Sequence, residues 1–203
     1  MTMEGLRFGA IGGCAVHACI DMQGLFAEET DWASPVVYEI APRAGRIAAR
    51  APHLTLFTRF LTPARAEDAK GQWRIYYRHW RSVLSSNIDA GLLDIIPPLR
   101  RFVPPARVID KYVHSAFEAP AFQDALDELD ADTIIFTGVE TDVCVLATAL
   151  TAIDRGYRTI LVSDAIASSS PPGHRASLDS VYPRFDQQVE IVDTDTLLRA
   201  WTP

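Results

Sequence analysis

Short apolar runs bounded by turn residues alternate along this chain with longer segments of helical periodicity. Cys14–Ile20 reads as a first buried strand ending at Asp21, Leu54–Thr58 as a second, and Arg107–Asp110 as a short strand delivering Lys111. Thr133–Thr137, Tyr157–Val162 and Val189–Val192 supply the others. Between them the pattern predicts helices. One lies within Val36–Arg50, its start obscured by Pro42; another covers Trp73–Leu84; a third is opened by Pro120 and runs to about Leu129. The uncharged Val145–Ile153 is stopped by Gly156, a short helix covers His174–Val181, and a last one is capped by Thr194. Six strands alternating with helices predict an α/β fold: a three-layer α-β-α arrangement around a six-stranded parallel sheet. In open sheets of this kind ligands sit beyond the carboxyl ends of the strands. Asp21, Lys111 and Cys144 each fall at or just past such an end.

Composition narrows the class. With no linker and no repeat, 203 residues suit a single domain spanning the whole chain, 1–203, with a core that needs no staples. Apolar content of 48% and charged content of 22% are those of an ordinary globular protein. A net charge of -7 argues against nucleic acid as a partner, because such binders present a basic face. No stretch approaches the roughly 20 apolar residues that span a bilayer, so no membrane association is expected. Met1–Arg7 lacks the basic start and apolar centre of a secretory signal. Cys14, Cys19 and Cys144 form neither a paired framework nor a C-x-x-C, which points to a reducing cytoplasm.

Gly138-Val139-Glu140-Thr141-Asp142-Val143-Cys144 carries the most chemistry. A glycine at the strand end and a Thr141 N-cap would set Cys144 in the first turn of the next helix. Unpaired backbone N–H groups and the positive end of the helix dipole favour a thiolate there. A thiol attacking a carbonyl also needs a base, and a carboxylate becomes a better one as water is withdrawn from it. Asp21 follows a fully apolar strand, and Lys111 could hold both the thiolate and the acid. Each residue alone has a plain reading: a small core cysteine, a turn aspartate, a surface lysine. All three plain readings would have to coincide at one edge of one sheet.

These residues resemble the isochorismatase-like cysteine hydrolases, a group that includes nicotinamidases, N-carbamoylsarcosine amidase and isochorismatase. The likeness runs from about Ala15 to about Thr194. It is carried by Ile20-Asp21-Met22-Gln23-Gly24-Leu25-Phe26, by Asp110-Lys111 with Ser115-Ala116-Phe117, and by the cysteine segment. Asp154-Arg155-Gly156-Tyr157 and Val162-Ser163-Asp164-Ala165 add to it. The resemblance implies the Rossmann-like hydrolase fold of that group and a triad of Asp21, Lys111 and Cys144. It also implies a non-proline cis peptide between Val139 and Glu140, an oxyanion hole from the N–H groups of Glu140 and Cys144, and a homodimer or homotetramer. The reaction it implies is cleavage of a C–N bond in a small amide or ureido molecule through a thioester on Cys144.

The chain departs from the nicotinamidases in one respect. Those resemble one another in an Asp-x-His pair and a further His past the second strand, binding a divalent metal. Here that region reads Thr58-Arg59-Phe60-Leu61-Thr62-Pro63-Ala64-Arg65, so neither a metal nor any other cofactor is expected. Trp73, Tyr76, Tyr77 and Trp80 recur at i, i+3, i+4 and i+7, as a core stripe, a subunit interface or a pocket wall would. Arg59 could greet a substrate carboxylate. With Gln23, Phe26, Trp73, Tyr77 and Phe117 it makes the candidate pocket set; His17 reads as a core residue and His114 as a neighbour of Lys111. Ser168–His174 reads as a rim or surface loop, with no G-x-S-x-G elbow to make it a serine hydrolase. Three alternatives stay open: vinyl-ether hydrolysis as in isochorismatase, thiol redox chemistry at Cys144, and metabolite binding without catalysis.

Overall fold

Six strands form one sheet: Ala15–Ile20 (β1), Thr55–Phe60 (β2), Arg107–Lys111 (β3), Thr133–Val139 (β4), Arg158–Ala167 (β5) and Val189–Val192 (β6). All neighbours pair in parallel, in the order β3-β2-β1-β4-β5-β6. This computed structural model describes residues 6–203. The first five residues of the expected single domain, and with them most of the stretch read for a secretory signal, lie outside the described residues. The helices are Gly24–Ala27 (α1), Val37–Arg50 (α2), Trp73–His79 (α3), Pro97–Arg100 (α4), Pro120–Glu128 (α5), Cys144–Asp154 (α6), Pro171–Ala176 (α7) and Thr194–Ala200 (α8). Among the described residues no helix is long and apolar enough to cross a membrane.

The strands form where β-branched and aromatic residues are buried on both faces; every residue of β1 and of β4 is buried. The chain runs outward from β1 to β2 and β3, then returns to start again at β4 on the other side of β1. Right-handed crossovers in opposite directions put α2 on one face and α5 and α6 on the other. α8 joins α2 and packs with it against β5. The reversal between β1 and β4 is the topological switch point, where the ends of two adjacent strands diverge and leave a crevice.

Several expected boundaries move. α2 runs straight through Pro42, which sits on its exposed side, so the freed carbonyl one turn back can meet water. α3 stops at His79 rather than Leu84, because Trp80 leaves helical geometry at φ -91°, ψ 44°. β5 continues past Val162 to Ala167, where Ser163 Oγ donates to the Val192 carbonyl and Asp164 Oδ1 accepts from the Thr194 N–H and hydroxyl. Asp193, not Thr194, caps α8, accepting from the Thr196 N–H at 2.7 Å. The helix expected over His174–Val181 is α7, capped by Ser170, followed by a single π-helical turn at Ser177–Val181.

Candidate active site

β1 ends at Ile20, and Asp21 turns the chain out of the sheet with a positive φ of 51°. Its side chain is fully buried. The hydroxyl of Thr58, on the neighbouring strand β2, accepts from the Asp21 N–H at 3.0 Å and donates to Oδ1 at 2.6 Å. The other oxygen, Oδ2, lies 2.7 Å from Lys111 Nζ, with both side chains essentially inaccessible to water. Lys111, the last residue of β3, also donates to the Val113 carbonyl at 3.1 Å and sits 4.5 Å above the Phe60 ring. A buried charge is costly unless it is paired, and here each member meets the opposite charge of the other.

β4 delivers the thiol. It ends in Gly138 at φ 102°, followed by a cis peptide between Val139 and Glu140. Cys144 then opens α6 and is 5% exposed, and the charges of Asp21 and Lys111 both act on its sulfur. The expected Thr141 cap is not made: the residue before α6 is Val143, which has no capping side chain, and Thr141 Oγ1 pairs with His174 Nδ1 at 2.9 Å. As the first residue of the helix, Cys144 has an N–H with no intrahelical acceptor. The Glu140 N–H likewise has no backbone acceptor among the described residues. Neither N–H has a backbone partner among the described residues.

The surroundings of the thiol act against the helix end. Burial pushes the Cys144 thiol well above an ordinary cysteine, and the negative Asp21 adds to this; Lys111 pulls the other way and loses. Burial and the carboxylate both favour the thiol and oppose the thiolate that the helix start favours. His114 Nδ1 stands 3.7 Å from the sulfur. Burial, and then Lys111, hold that imidazole below its usual range against a smaller opposing pull from Asp21, so it is neutral at pH 7.

Cys144 forms part of the wall of a cavity of about 260 Å³, at the small end of ligand pockets. Five rings shape it, those of Phe26, Trp32, Phe60, Tyr76 and Trp80, and Asp31, Glu140, His114 and Ser169 supply polar atoms. Of the expected pocket residues only Phe26 is on this wall. Gln23 is fully buried and ties strands together: its amide accepts from the Phe60 N–H at 2.6 Å and donates to the carbonyls of Phe60 and Leu93. Arg59 points away to Asp110 and Asp94, at 2.7 and 3.3 Å. Phe117 is buried edge-on against Phe122. Trp73 and Tyr77 stand behind the wall, Trp73 with its ring 5.0 Å from that of His114 and 5.9 Å from that of Tyr77. The aromatic stripe is thus divided: Tyr76 and Trp80 face the cavity, Trp73 and Tyr77 support it.

Sequence reasoning missed Thr58, Phe60, Asp31 and Trp32. Thr58 and Phe60 flank Arg59 on a strand, and alternation puts them on the face opposite to it; that signal was available, although not which face meets the site. Asp31 and Trp32 lie in a loop with no periodicity to read. His17 is a core residue, its ring between the hydroxyls of Thr55 and Thr137 at 3.3 and 2.8 Å.

Comparison with known proteins gives this geometry a context. The isochorismatase domain family matches residues 15–195. Over 92 residues the chain is 29% identical to the maleamate amidohydrolase of Pseudomonas putida, a match covering 45% of this chain and 43% of that protein. Over 96 residues it is 30% identical to nicotinamidase 3 of Arabidopsis thaliana, covering 47% of each. The matched stretch spans under half the length of these curated relatives. Its structure superposes on that of a cysteine hydrolase from Pseudomonas syringae pv. phaseolicola with a TM-score of 0.81, over 98% of both chains at 23% identity. The metal that a likeness to nicotinamidases brings with it does not fit these residues. Among the described residues no three His, Cys, Asp or Glu side chains gather as ligands would, and the charged group past the middle of β2 is a cation, Arg59.

Proposed function

Because this chain belongs to the isochorismatase family, we propose that it is a hydrolase that breaks a C–N bond of a small amide or ureido substrate through a thioester on Cys144. The carrying observation is a thiol in the wall of a cavity too small for a macromolecule, under the influence of a buried carboxylate and its lysine partner. Its relatives named for maleamate and nicotinamide hydrolysis support the reaction class.

In this mechanism a substrate carbonyl enters over Cys144, and the thiol passes its proton to Asp21 as the sulfur attacks carbon. No free thiolate needs to accumulate beforehand, which suits a thiol held protonated by its burial. The oxyanion that develops meets the N–H groups of Glu140 and Cys144; one such donor is typically worth about 10²–10³ in rate. Asp21 returns the proton to the nitrogen, the C–N bond breaks, and the amine or ammonia departs. Water then attacks the thioester, giving a proton to Asp21, and collapse of the second tetrahedral species frees the acid while the sulfur regains that proton. Lys111 stays charged throughout and holds Asp21 in place. Its ammonium keeps a positive charge beside the carboxylate through both steps.

The test measures ammonia or amine release from a panel of small amides and ureido acids, with pyruvate release from isochorismate followed in parallel. Cys144→Ala is expected to abolish nitrogen release without changing the unfolding midpoint. A slow substrate should leave one acyl group per chain on the wild-type sulfur by intact mass. Nitrogen release, or an adduct, persisting in Cys144→Ala would overturn the proposal. Release of pyruvate in place of an amine would transfer the site to vinyl-ether chemistry.

A further inference from the structure

The cavity beside Cys144 has an unusual charge pattern for its size. Its wall carries two carboxylates, Asp31 and Glu140, and no lysine or arginine. Asp31 Oδ2 accepts from the Ser82 hydroxyl at 2.5 Å, and Glu140 Oε1 accepts from the Ser169 N–H at 2.8 Å. The second oxygen of each has no protein donor among the described residues. Lys111 is committed to Asp21 within the protein, and His114 is neutral at pH 7. An anionic group entering here would face two carboxylates and, among the described residues, no charged side chain on the wall to offset them.

The remaining wall is aromatic and organised around Trp32. Its ring stacks on Phe26 at 6.0 Å and 10°, meets Phe60 edge-on at 5.8 Å, and meets Trp80 at 6.4 Å and 71°. Tyr76 closes a further side at 5.8 Å. A π face attracts a cation, most strongly where water is excluded, and five aromatic rings border this cavity. The carboxylates add to the same field. Apolar wall and negative rim together suit a group that is positively charged yet weakly hydrated.

We propose that the site is selective for cationic amides: small molecules in which a protonated or quaternary ammonium group sits among Phe26, Trp32, Tyr76 and Trp80, with Asp31 beside it. The amide carbonyl then reaches Cys144. The nature of the reaction rests on the hydrolase reading above, whereas binding of the cation does not. Asp31 is a specificity residue in this scheme, exposed at the mouth and outside the catalytic machinery.

Three amides of similar size separate the possibilities: trimethylammonioacetamide, its neutral isostere 3,3-dimethylbutanamide, and succinamate. Binding to the full-length Cys144→Ala protein is followed by tryptophan fluorescence and calorimetry. The cation should bind at least about tenfold more tightly than the neutral isostere, with succinamate weakest. Asp31→Asn should remove a substantial part of that preference, about threefold or more. Equal or tighter binding of the neutral or anionic amide, no binding of any of the three up to about 10 mM, or an Asp31→Asn variant with full preference would overturn the inference. Ammonia release by the wild-type protein from the same three amides distinguishes the two proposals. Cation binding with no release from any amide would remove the hydrolase reading and leave the selectivity standing. Cys144-dependent release favouring succinamate would do the reverse.

Discussion

Replacing Gly138 with alanine tests whether the site depends on the closeness of β1 and β4. Gly138 pairs with Ile20, the residue before Asp21, and its φ of 102° lies where side chains are rarely tolerated. A Cβ placed there would lie 2.0 Å from the Ile20 carbonyl oxygen, 2.7 Å from its nitrogen and 2.8 Å from its carbonyl carbon. All three are backbone atoms, so no rotamer change relieves the contact. The strands must part by about 1 Å or more, since non-bonded carbons settle near 3.5–4.0 Å. The left-handed conformation costs about 1–2 kcal/mol, overpacking about 1–3 kcal/mol, and each strand-end hydrogen bond lost about 1 kcal/mol. A loss of about 3–6 kcal/mol is therefore expected, a large part of the roughly 5–15 kcal/mol that holds such a protein together. Urea unfolding at 25 °C measures it, and the melting temperature should fall by about 6–24 °C. Because the same displacement carries Asp21 away from Cys144, activity per folded molecule should drop by about 100-fold. A variant losing less than about 1 kcal/mol with its activity intact would show that the backbones can part freely, and the reasoning would fail.

Other expectations concern single side chains. Thr58→Val keeps the shape but removes the hydroxyl that both accepts from and donates to Asp21; kcat/KM should fall by about tenfold or more, and stability by about 1–3 kcal/mol, and a rate within twofold of wild type (about 0.4 kcal/mol) would deny Thr58 its positioning role. Arg59→Gln breaks partly exposed ion pairs with Asp110 and Asp94, so stability should change by less than about 1 kcal/mol; a KM that rises only for carboxylate-bearing substrates would return Arg59 to the binding site. Burial holds the His17 imidazole at about 3, below the roughly 6.5 of an unfolded chain. The unfolded state thus binds the proton first, and this contribution to stability is complete above pH 6.5 and lost as pH falls from there toward 3. The slope is about 1.4 kcal/mol per pH unit, and urea midpoints from pH 7 to 4 should show it flattened in His17→Gln; an unchanged slope would place the acid sensitivity elsewhere.

The sheet was legible because its strands are buried on both faces and so stand out as apolar, β-branched runs at the right length. Strand ends fixed where Asp21, Lys111 and Cys144 fall along the chain, and parallel topology was enough to place those ends on one edge. The cavity wall was not legible for a different reason. Arg59 was favoured for its charge, yet on a strand the neighbours Thr58 and Phe60 face the opposite way, and only the third dimension says which side holds the crevice. The stripe from Trp73 to Trp80 assumed an unbroken helix; the turn at Trp80 re-aims that ring toward Trp32. Gln23 and Phe117 lie within motifs that resemble the family, but they serve the frame around the site, where a side chain tying strands leaves the same trace in sequence as one touching substrate. The state of the Cys144 thiol depends on burial and on a negative neighbour, neither of which can be read from its place at the start of a helix.

The pairing of Asp21 with Lys111 constrains how this protein can change over generations. Removing either member of a buried ion pair leaves an unsatisfied charge, typically at a cost of about 3–5 kcal/mol, which few marginally stable chains survive. Both would have to go together, or neither. A descendant that abandoned catalysis would therefore keep its aspartate and lysine for the sake of its fold. Cys144 is neutral and small, and it could drift to alanine or serine with little harm to the structure. In a lineage of such proteins, the cysteine position is the place where a change of occupation would first be written.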